Sequence, residues 1–172
     1  LSPKSNSCSF KLLDYRHTKG LYDKIVSVEM IEAVGIKYLP IYFKTIKNRL
    51  KPNGYAIIQA ITIGEEGFSN YSRNVDFIQK YIFPGGVLPS VKQLEKETMR
   101  NGLEIENINI LNDSYEKTLQ EWRNKFNNNW VNIKEIGYDE KFKRTWNYYL
   151  SYCEAGFAEK TINVGLYKIK SI

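Results

Sequence analysis

Apolar residues along this chain follow two rhythms, short continuous runs and helical stripes, and each change of rhythm marks an element. Ile25, Val26 and Val28 crowd into Tyr22–Val28, which predicts a strand buried on both faces of a parallel sheet. Leu39, Tyr42, Phe43, Ile46 and Leu50 then fall on one stripe, predicting an amphipathic helix over 38–50 with Pro40 tolerated in its first turn. Lys51-Pro52-Asn53-Gly54 reads as a tight stop, and residues 55–63, YAIIQAITI, as a second buried strand whose apolar run is broken only by Gln59. Ahead of these, residues 9–14 read as a short strand ending in Asp14, followed by a polar turn over 15–20. Downstream, 64–71 reads as a polar loop, 74–82 as a short helix and Phe83-Pro84-Gly85-Gly86 as a forced turn. Ser90 and Gln93 have the spacing of a capping box for a helix ending near Gly102, and 103–111 reads as a strand. Asp113 and Glu116 repeat that spacing before a helix through Trp122 and Phe126. A further helix over 140–158 carries Phe142, Trp146, Tyr149, Leu150, Cys153 and Phe157, and residues 161–169 form a last strand.

Strands alternating with helices predict the α/β class, a doubly wound sheet with helices on both faces. Such sheets bind ligands at the carboxyl ends of their strands, and Glu29 and Glu32 fall where the strand 22–28 hands over to a helix. On position alone they read equally as ligand-facing carboxylates or as solvated acids favoured by a helix N-terminus. Gln59 is open in the same way, between a hydrogen-bonded core or solvent-facing glutamine and a ligand contact. No strand is followed by G-x-G-x-x-G, and Gly85-Gly86 comes after a proline beyond a helix, so neither stretch is a phosphate cradle.

With 172 residues, 42% of them hydrophobic and 14% aromatic, the chain suits one packed globular domain and not a disordered one. No run approaches the roughly 18 apolar residues of a membrane span, and no secretory signal precedes the domain, so a cytoplasmic setting is expected. Cys8 and Cys153 are too few and too far apart for a disulfide framework, and His17, the single histidine, rules out a histidine-rich metal site. The net charge of +6 suits an anionic partner. Its lysines and arginines are scattered, without a nucleic-acid-binding signature, so an anionic membrane surface is the better match than specific nucleic acid. A basic surface without function is the plain alternative.

Six blocks carry a resemblance: DYR (14–16), YDKIVSVEMIEAVG (22–35), LKPNG (50–54), DFIQKYIFPGGVLPS (76–90), SYEKTLQEW (114–122) and FKRTWNYYLSYCEAGF (142–157). In this order they closely resemble the cyclopropane-fatty-acyl-phospholipid synthase family, S-adenosylmethionine-dependent enzymes of the class I methyltransferase (Rossmann-like) fold. The resemblance implies that residues 1–172, which begin at Leu1 and not at a Met, are the C-terminal part of one methyltransferase domain. The first strands and the glycine-rich cofactor loop are then expected upstream. It implies methyl transfer from S-adenosyl-L-methionine to the cis double bond of a phospholipid acyl chain, through a carbocation, with bound bicarbonate taking a proton as a cyclopropane closes.

By the same resemblance Glu32 matches a glutamate that holds the bicarbonate and Tyr115 the tyrosine beside it. Ile61 matches a position contributing its backbone, and Cys153 a cysteine near the active site. Asp14, Tyr15, Arg16 and Glu29 are expected around the cofactor. Gln59 departs from the histidine that many members place against bicarbonate; an amide donates to an anion but does not titrate near neutrality. The product is therefore open between a cyclopropane and a methyl-branched lipid, with a methylated small molecule or a non-catalytic remnant as further alternatives. The aromatic stripes of the last two helices fit an acyl pocket or plain core. The implied setting is cytoplasmic, peripheral to the inner face of the membrane, on an unsaturated phospholipid, with a homodimer open. Taken alone, these residues are expected to hold the cofactor weakly and to aggregate through the bared edge of the strand 22–28.

Overall fold

In the computed structural model, which describes residues 8–172, four strands form one sheet: β1 (Tyr22–Val28), β2 (Leu50–Ile63), β3 (Leu103–Ile110) and β4 (Ile162–Ser171). The helices are α1 (Ile31–Val34), α2 (Leu39–Arg49), α3 (Glu65–Tyr71), α4 (Phe77–Tyr81), α5 (Val91–Arg100), α6 (Asn112–Asn128), α7 (Trp130–Glu135) and α8 (Glu140–Ala158). Single 3-10 turns lie at Tyr15–His17 and Ile36–Tyr38. The strand order is β1-β2-β4-β3; β1 runs parallel to β2, while β4 lies antiparallel between β2 and β3.

The pleat of β2 divides the molecule. Ala56, Ile58 and Ala60 are buried on one face, against Leu39, Tyr42, Phe43 and Ile46 of α2 and Leu94 of α5. The same core takes Leu103 of β3 and Tyr167 and Ile169 of β4. Ile61 and Val164 face the other way, onto Leu119 of α6 and Leu150, Cys153 and Phe157 of α8. Helices thus cover both faces, as expected of the doubly wound class. Each buried Leu or Phe contributes about 1.5–3 kcal/mol relative to exposure, so the two cores together hold both helical layers to one sheet.

Several sequence expectations are corrected. β1 is not buried on both faces: α2 covers one side, where Ile25 packs and Ser27 accepts a hydrogen bond from Tyr42 Oη (2.8 Å). Val26 and Val28, on the other side, are 68% and 54% exposed. An apolar run reports a strand's preference for burial, whereas burial itself depends on what packs on each face. Residues 9–14 form no strand; Asp14 instead accepts from the Arg16 backbone N–H and caps the Tyr15–His17 turn. The Lys51–Gly54 stop is absorbed into β2, with Asn53 at φ 63° and a register shift against β1 between Tyr22 and Lys24.

Residues 65–71 are helical and not a loop, because Glu65 and Glu66 occupy the first turn, where the helix dipole favours acids. The expected helix over 74–82 shortens to α4, fixed by a capping box between Asp76 and Gln79. Ser90 caps α5 as expected, although Gln93 turns to Glu97 and leaves the reciprocal bond unmade. Asp113 does not cap α6. The helix begins at Asn112, whose side chain donates to Asn163 Oδ1 (2.7 Å) and accepts from the Val164 N–H (2.9 Å), tying α6 to β4.

Replacing Asn112 by Ala leaves the buried Val164 N–H without its acceptor, which costs about 1–3 kcal/mol. The expected outcome is a lower urea midpoint for the Asn112→Ala protein, with an unchanged midpoint counting against this tie.

Candidate functional site

The site forms where β1 stops short of β2. β1 ends at Val28, paired with Gln59, yet β2 runs on to Ile63, so the N–H groups of Ile61 and Ile63 need other acceptors. Glu32, in the first turn of α1, supplies Oε1 to the Ile61 N–H at 2.7 Å, and the Pro89 carbonyl takes the Ile63 N–H at 3.0 Å. The Glu32 backbone carbonyl accepts from the Val87 N–H at 2.9 Å, so one residue ties β2, α1 and the 83–88 segment together. Gly86 suits the tight 83–86 turn, since a Cβ there would stand 3.2 Å from the Phe83 carbonyl oxygen.

Glu32 Oε2 is buried without a hydrogen-bond partner. Burial pushes the Glu32 pKa above the ordinary carboxylate value, against the opposing effect of the Ile61 hydrogen bond.

Glu29 directly follows β1 at φ 52°, a left-handed conformation that costs a residue with a side chain about 1–2 kcal/mol. Its carboxylate gathers donors from two other elements. Gln59 Nε2 of β2 donates to Glu29 Oε1 at 2.5 Å, and Tyr115 Oη of α6 donates to the same oxygen at 3.1 Å. The second Gln59 N–H goes to Tyr115 Oη at 2.5 Å. Burial, and then the Glu29 charge, push the Tyr115 pKa up to about 12, so the phenol stays a donor at neutral pH.

Glu29, Glu32 and Ile61 line a cavity of about 1050 Å³, just above the roughly 300–1,000 Å³ usual for small-molecule sites, while Gln59 and Tyr115 stand behind Glu29 outside its lining. Its walls are mostly apolar: Ile61 and Ile63 of β2, Ile78 of α4, Ile82 and Phe83 beyond it, and Phe157 of α8. Four acids, Glu29, Glu32, Asp76 and Glu159, line it with no Lys, Arg or His among the lining residues. Such a lining favours a cation and penalises an anion. Cys153 also lines the cavity; burial and the Asp76 charge push its pKa up to about 12, so it stands there as a neutral thiol. Tyr149, beside it, is likewise pushed up to about 12, chiefly by burial.

The fold thus assembles Glu29, Glu32, Gln59, Ile61, Tyr115 and Cys153, which lie far apart in sequence. The turn 14–16 stands apart from them. Asp14 is chelated by Arg16 through Nε and Nη2, bonds that hold its carboxyl well below the usual range. Tyr15 packs edge-on against Tyr42, at 5.7 Å between ring centroids. None of the three lines the cavity.

Two groups expected from the sequence meet different surroundings. The sulfonium of S-adenosylmethionine is a cation, and it fits an acidic lining with an unpartnered buried carboxylate oxygen. Bicarbonate does not fit. The Ile61 N–H is given to Glu32, both Gln59 N–H bonds to Glu29 and Tyr115, and the Tyr115 O–H to Glu29. An anion would find those donors engaged and two carboxylates beside it. Sequence reasoning gave Asp76 and the 83–88 wall no role of their own, although both lie in the block 76–90, and left Tyr149 open between an acyl pocket and plain core.

Residues 3–167 match the family described as mycolic acid cyclopropane synthetase. The chain belongs to this family. It is 42% identical over 154 residues to the tuberculostearic acid methyltransferase UfaA1 of Mycobacterium tuberculosis, covering 89% of this chain and 36% of that protein. It is 36% identical over 154 residues to the cyclopropane-fatty-acyl-phospholipid synthase of Escherichia coli, covering 89% and 38%. The chain therefore spans a little over a third of the length of these relatives. Among solved structures, mycolic acid cyclopropane synthase CmaA1 complexed with SAH and CTAB superposes with a TM-score of 0.83 at 24% identity, covering 92% of this chain and 59% of that one. Cyclopropane synthase MmaA2 from Mycobacterium tuberculosis gives 0.82 at 22%, with the same coverage. The fold is that of the S-adenosylmethionine-dependent class I methyltransferases.

Because the folded-state pKa of Glu32 is raised, ionising it costs the fold stability. The cost is absent below the ordinary value of 4.5 and grows as pH rises toward and past the folded value. Glu32→Gln, whose amide oxygen still accepts from Ile61, is expected to unfold at a higher temperature than the parent at pH 7.5 and with no such advantage at pH 4. Thermal scans at the two pH values check this; an advantage that instead grows on acidification would reverse the sign.

Proposed function

We propose that the whole protein is an S-adenosyl-L-methionine-dependent methyltransferase acting on the cis double bond of an unsaturated phospholipid acyl chain, and that it closes a cyclopropane there. The observation that carries the reading is the apolar cavity opening onto Glu29 and Glu32, in a chain of the mycolic acid cyclopropane synthetase family. The names of the relatives support the substrate class: one is a tuberculostearic acid methyltransferase and another a cyclopropane-fatty-acyl-phospholipid synthase.

The bound cofactor supplies an electrophilic methyl on a cationic sulfur. This chain does the rest around it. The walls from Ile61 to Phe157 exclude water and hold the acyl chain, while Glu29 and Glu32 offset positive charge as it moves from sulfur to the lipid. Glu32 also keeps the end of β2 in place through Ile61, and the neutral Cys153 thiol fills wall space without bringing charge to the acyl chain.

A surface carrying net +6 suits reversible docking on an anionic membrane from the cytoplasmic side, where the substrate resides. Among the described residues no helix is long and apolar enough to cross the bilayer. A second reading, a methyl-branched or methylene lipid in place of the ring, is favoured by Gln59 and by the similarity to UfaA1.

The test incubates the intact protein with methyl-labelled S-adenosylmethionine and vesicles of monounsaturated phosphatidylethanolamine and phosphatidylglycerol, followed by gas chromatography and mass spectrometry of the acyl chains. Label in a cyclopropane is the expected result, label in an exocyclic methylene chain, which is what the second reading yields when no hydride donor is present, selects the second reading, and unlabelled lipid removes both. In the same assay Glu32→Gln is expected to lower turnover about a hundredfold or more, the usual cost of losing a preorganised contact to developing charge. Tyr115→Phe, which removes one of the two donors to Glu29, is expected to slow it less, and unchanged rates for both would exclude these residues from the reaction.

A further inference from the structure

We propose that Glu29 takes the proton released when the methylated lipid is resolved, occupying with its own carboxylate the place where a free anion would otherwise have to bind. The inference rests on the methyl-transfer reading above and follows from the misfit of bicarbonate.

Three observations converge on Glu29. First, its backbone is left-handed, a conformation that glycine adopts without penalty and that a glutamate adopts against a steric cost. Strain of this kind is characteristic of functional positions. Second, Gln59 and Tyr115, from β2 and α6, both aim their donors at Glu29 Oε1, which explains a polar glutamine within the apolar run of β2. Third, Glu29 borders the cavity yet remains exposed, so a proton it takes up can pass on to water.

Glu32 is the rival carboxylate, and its position is unsuited to this step. One of its oxygens is committed to the Ile61 N–H, and the other is buried with no partner through which a proton could leave.

The chemistry balances with no further reactant. The alkene electron pair forms a bond to the methyl carbon as the sulfur–carbon bond breaks, leaving positive charge on the other alkene carbon. Loss of a proton from the added methyl then lets its C–H electron pair close the ring. After a hydride shift, the same loss from the methyl yields an exocyclic double bond. In both cases one proton moves to the Glu29 carboxylate and nothing is oxidised or reduced apart from the methyl transfer itself. A saturated methyl branch would need a hydride donor, which a separate reductase would have to supply.

The test uses the intact protein and two variants, Glu29→Gly and Glu29→Gln. Glycine suits the left-handed backbone, so Glu29→Gly is expected to fold at least as readily as the parent, and Glu29→Gln preserves side-chain size. In buffer stripped of carbon dioxide the parent is expected to keep its full rate of lipid product formation. Both variants are expected to lose about a hundredfold or more, the usual contribution of a general base. Added bicarbonate or formate should restore turnover to Glu29→Gly, which leaves room for it, and not to Glu29→Gln.

A readout independent of turnover is the line width of 13C-labelled bicarbonate, expected to broaden with Glu29→Gly and not with the parent. A parent that broadens the line, or whose rate falls when bicarbonate is removed, overturns the proposal, as does a Glu29→Gly variant with parental rate in stripped buffer. Failure of the underlying function shows separately, as a parent that places no label in any lipid.

Discussion

The hydrogen bond from the Ile61 N–H to Glu32 Oε1 is the contact on which the site depends. β2 outlasts its parallel neighbour β1, and backbone donors past that point need acceptors that no strand provides. A carboxylate reaching back from α1 meets the need at Ile61. The same residue's carbonyl holds Val87, so the wall of the cavity and the end of the strand are set by one side chain and its own peptide group. A carboxylate is thus held beside the cavity because the fold requires an acceptor.

The acidic character of the cavity follows from how its donors are spent. Gln59, Tyr115 and the Ile61 N–H would be expected to welcome an anion, yet each points at a glutamate of this chain. With no Lys, Arg or His lining the space, the remaining field favours positive charge. A sulfonium cofactor and the cationic lipid intermediate of the proposed reaction share that requirement, so one set of carboxylates would serve at both ends of the proposed methyl transfer.

The two cores divide the labour. The side packed by α2 and α5 is an apolar cluster with Phe43 and Ala60 fully buried, and it anchors β2. The side facing α6 and α8 is only partly filled, and there Ile61 and Phe157 serve both as packing and as cavity wall. α6 and α8 lean on each other through aromatic contacts such as Phe126 with Phe142, and through the Arg123–Glu154 ion pair at 3.0 Å, an arrangement that supports the cavity without filling it.

Local chemistry made much of this legible in advance. The stripe of α2, the run of β2, the Ser90 cap and the bounds of α8 follow from periodicity and capping, which depend on near neighbours in sequence. Family resemblance pointed to Glu32, Gln59, Ile61 and Tyr115 as a group, and the fold does bring them together. What stayed hidden depends on distant partners. The exposure of Val26 and Val28 reflects which face of β1 a helix covers, the antiparallel insertion of β4 is a matter of strand order, and Asn112 bonds across to β4 in place of capping its own helix. The sequence by itself determined the elements, the class and the cast of polar residues, because those arise from spacing along one chain. Only the tertiary structure decided that Gln59 serves Glu29 and that Glu32 serves Ile61, because a hydrogen bond between residues about thirty positions apart exists only once the strands are laid side by side.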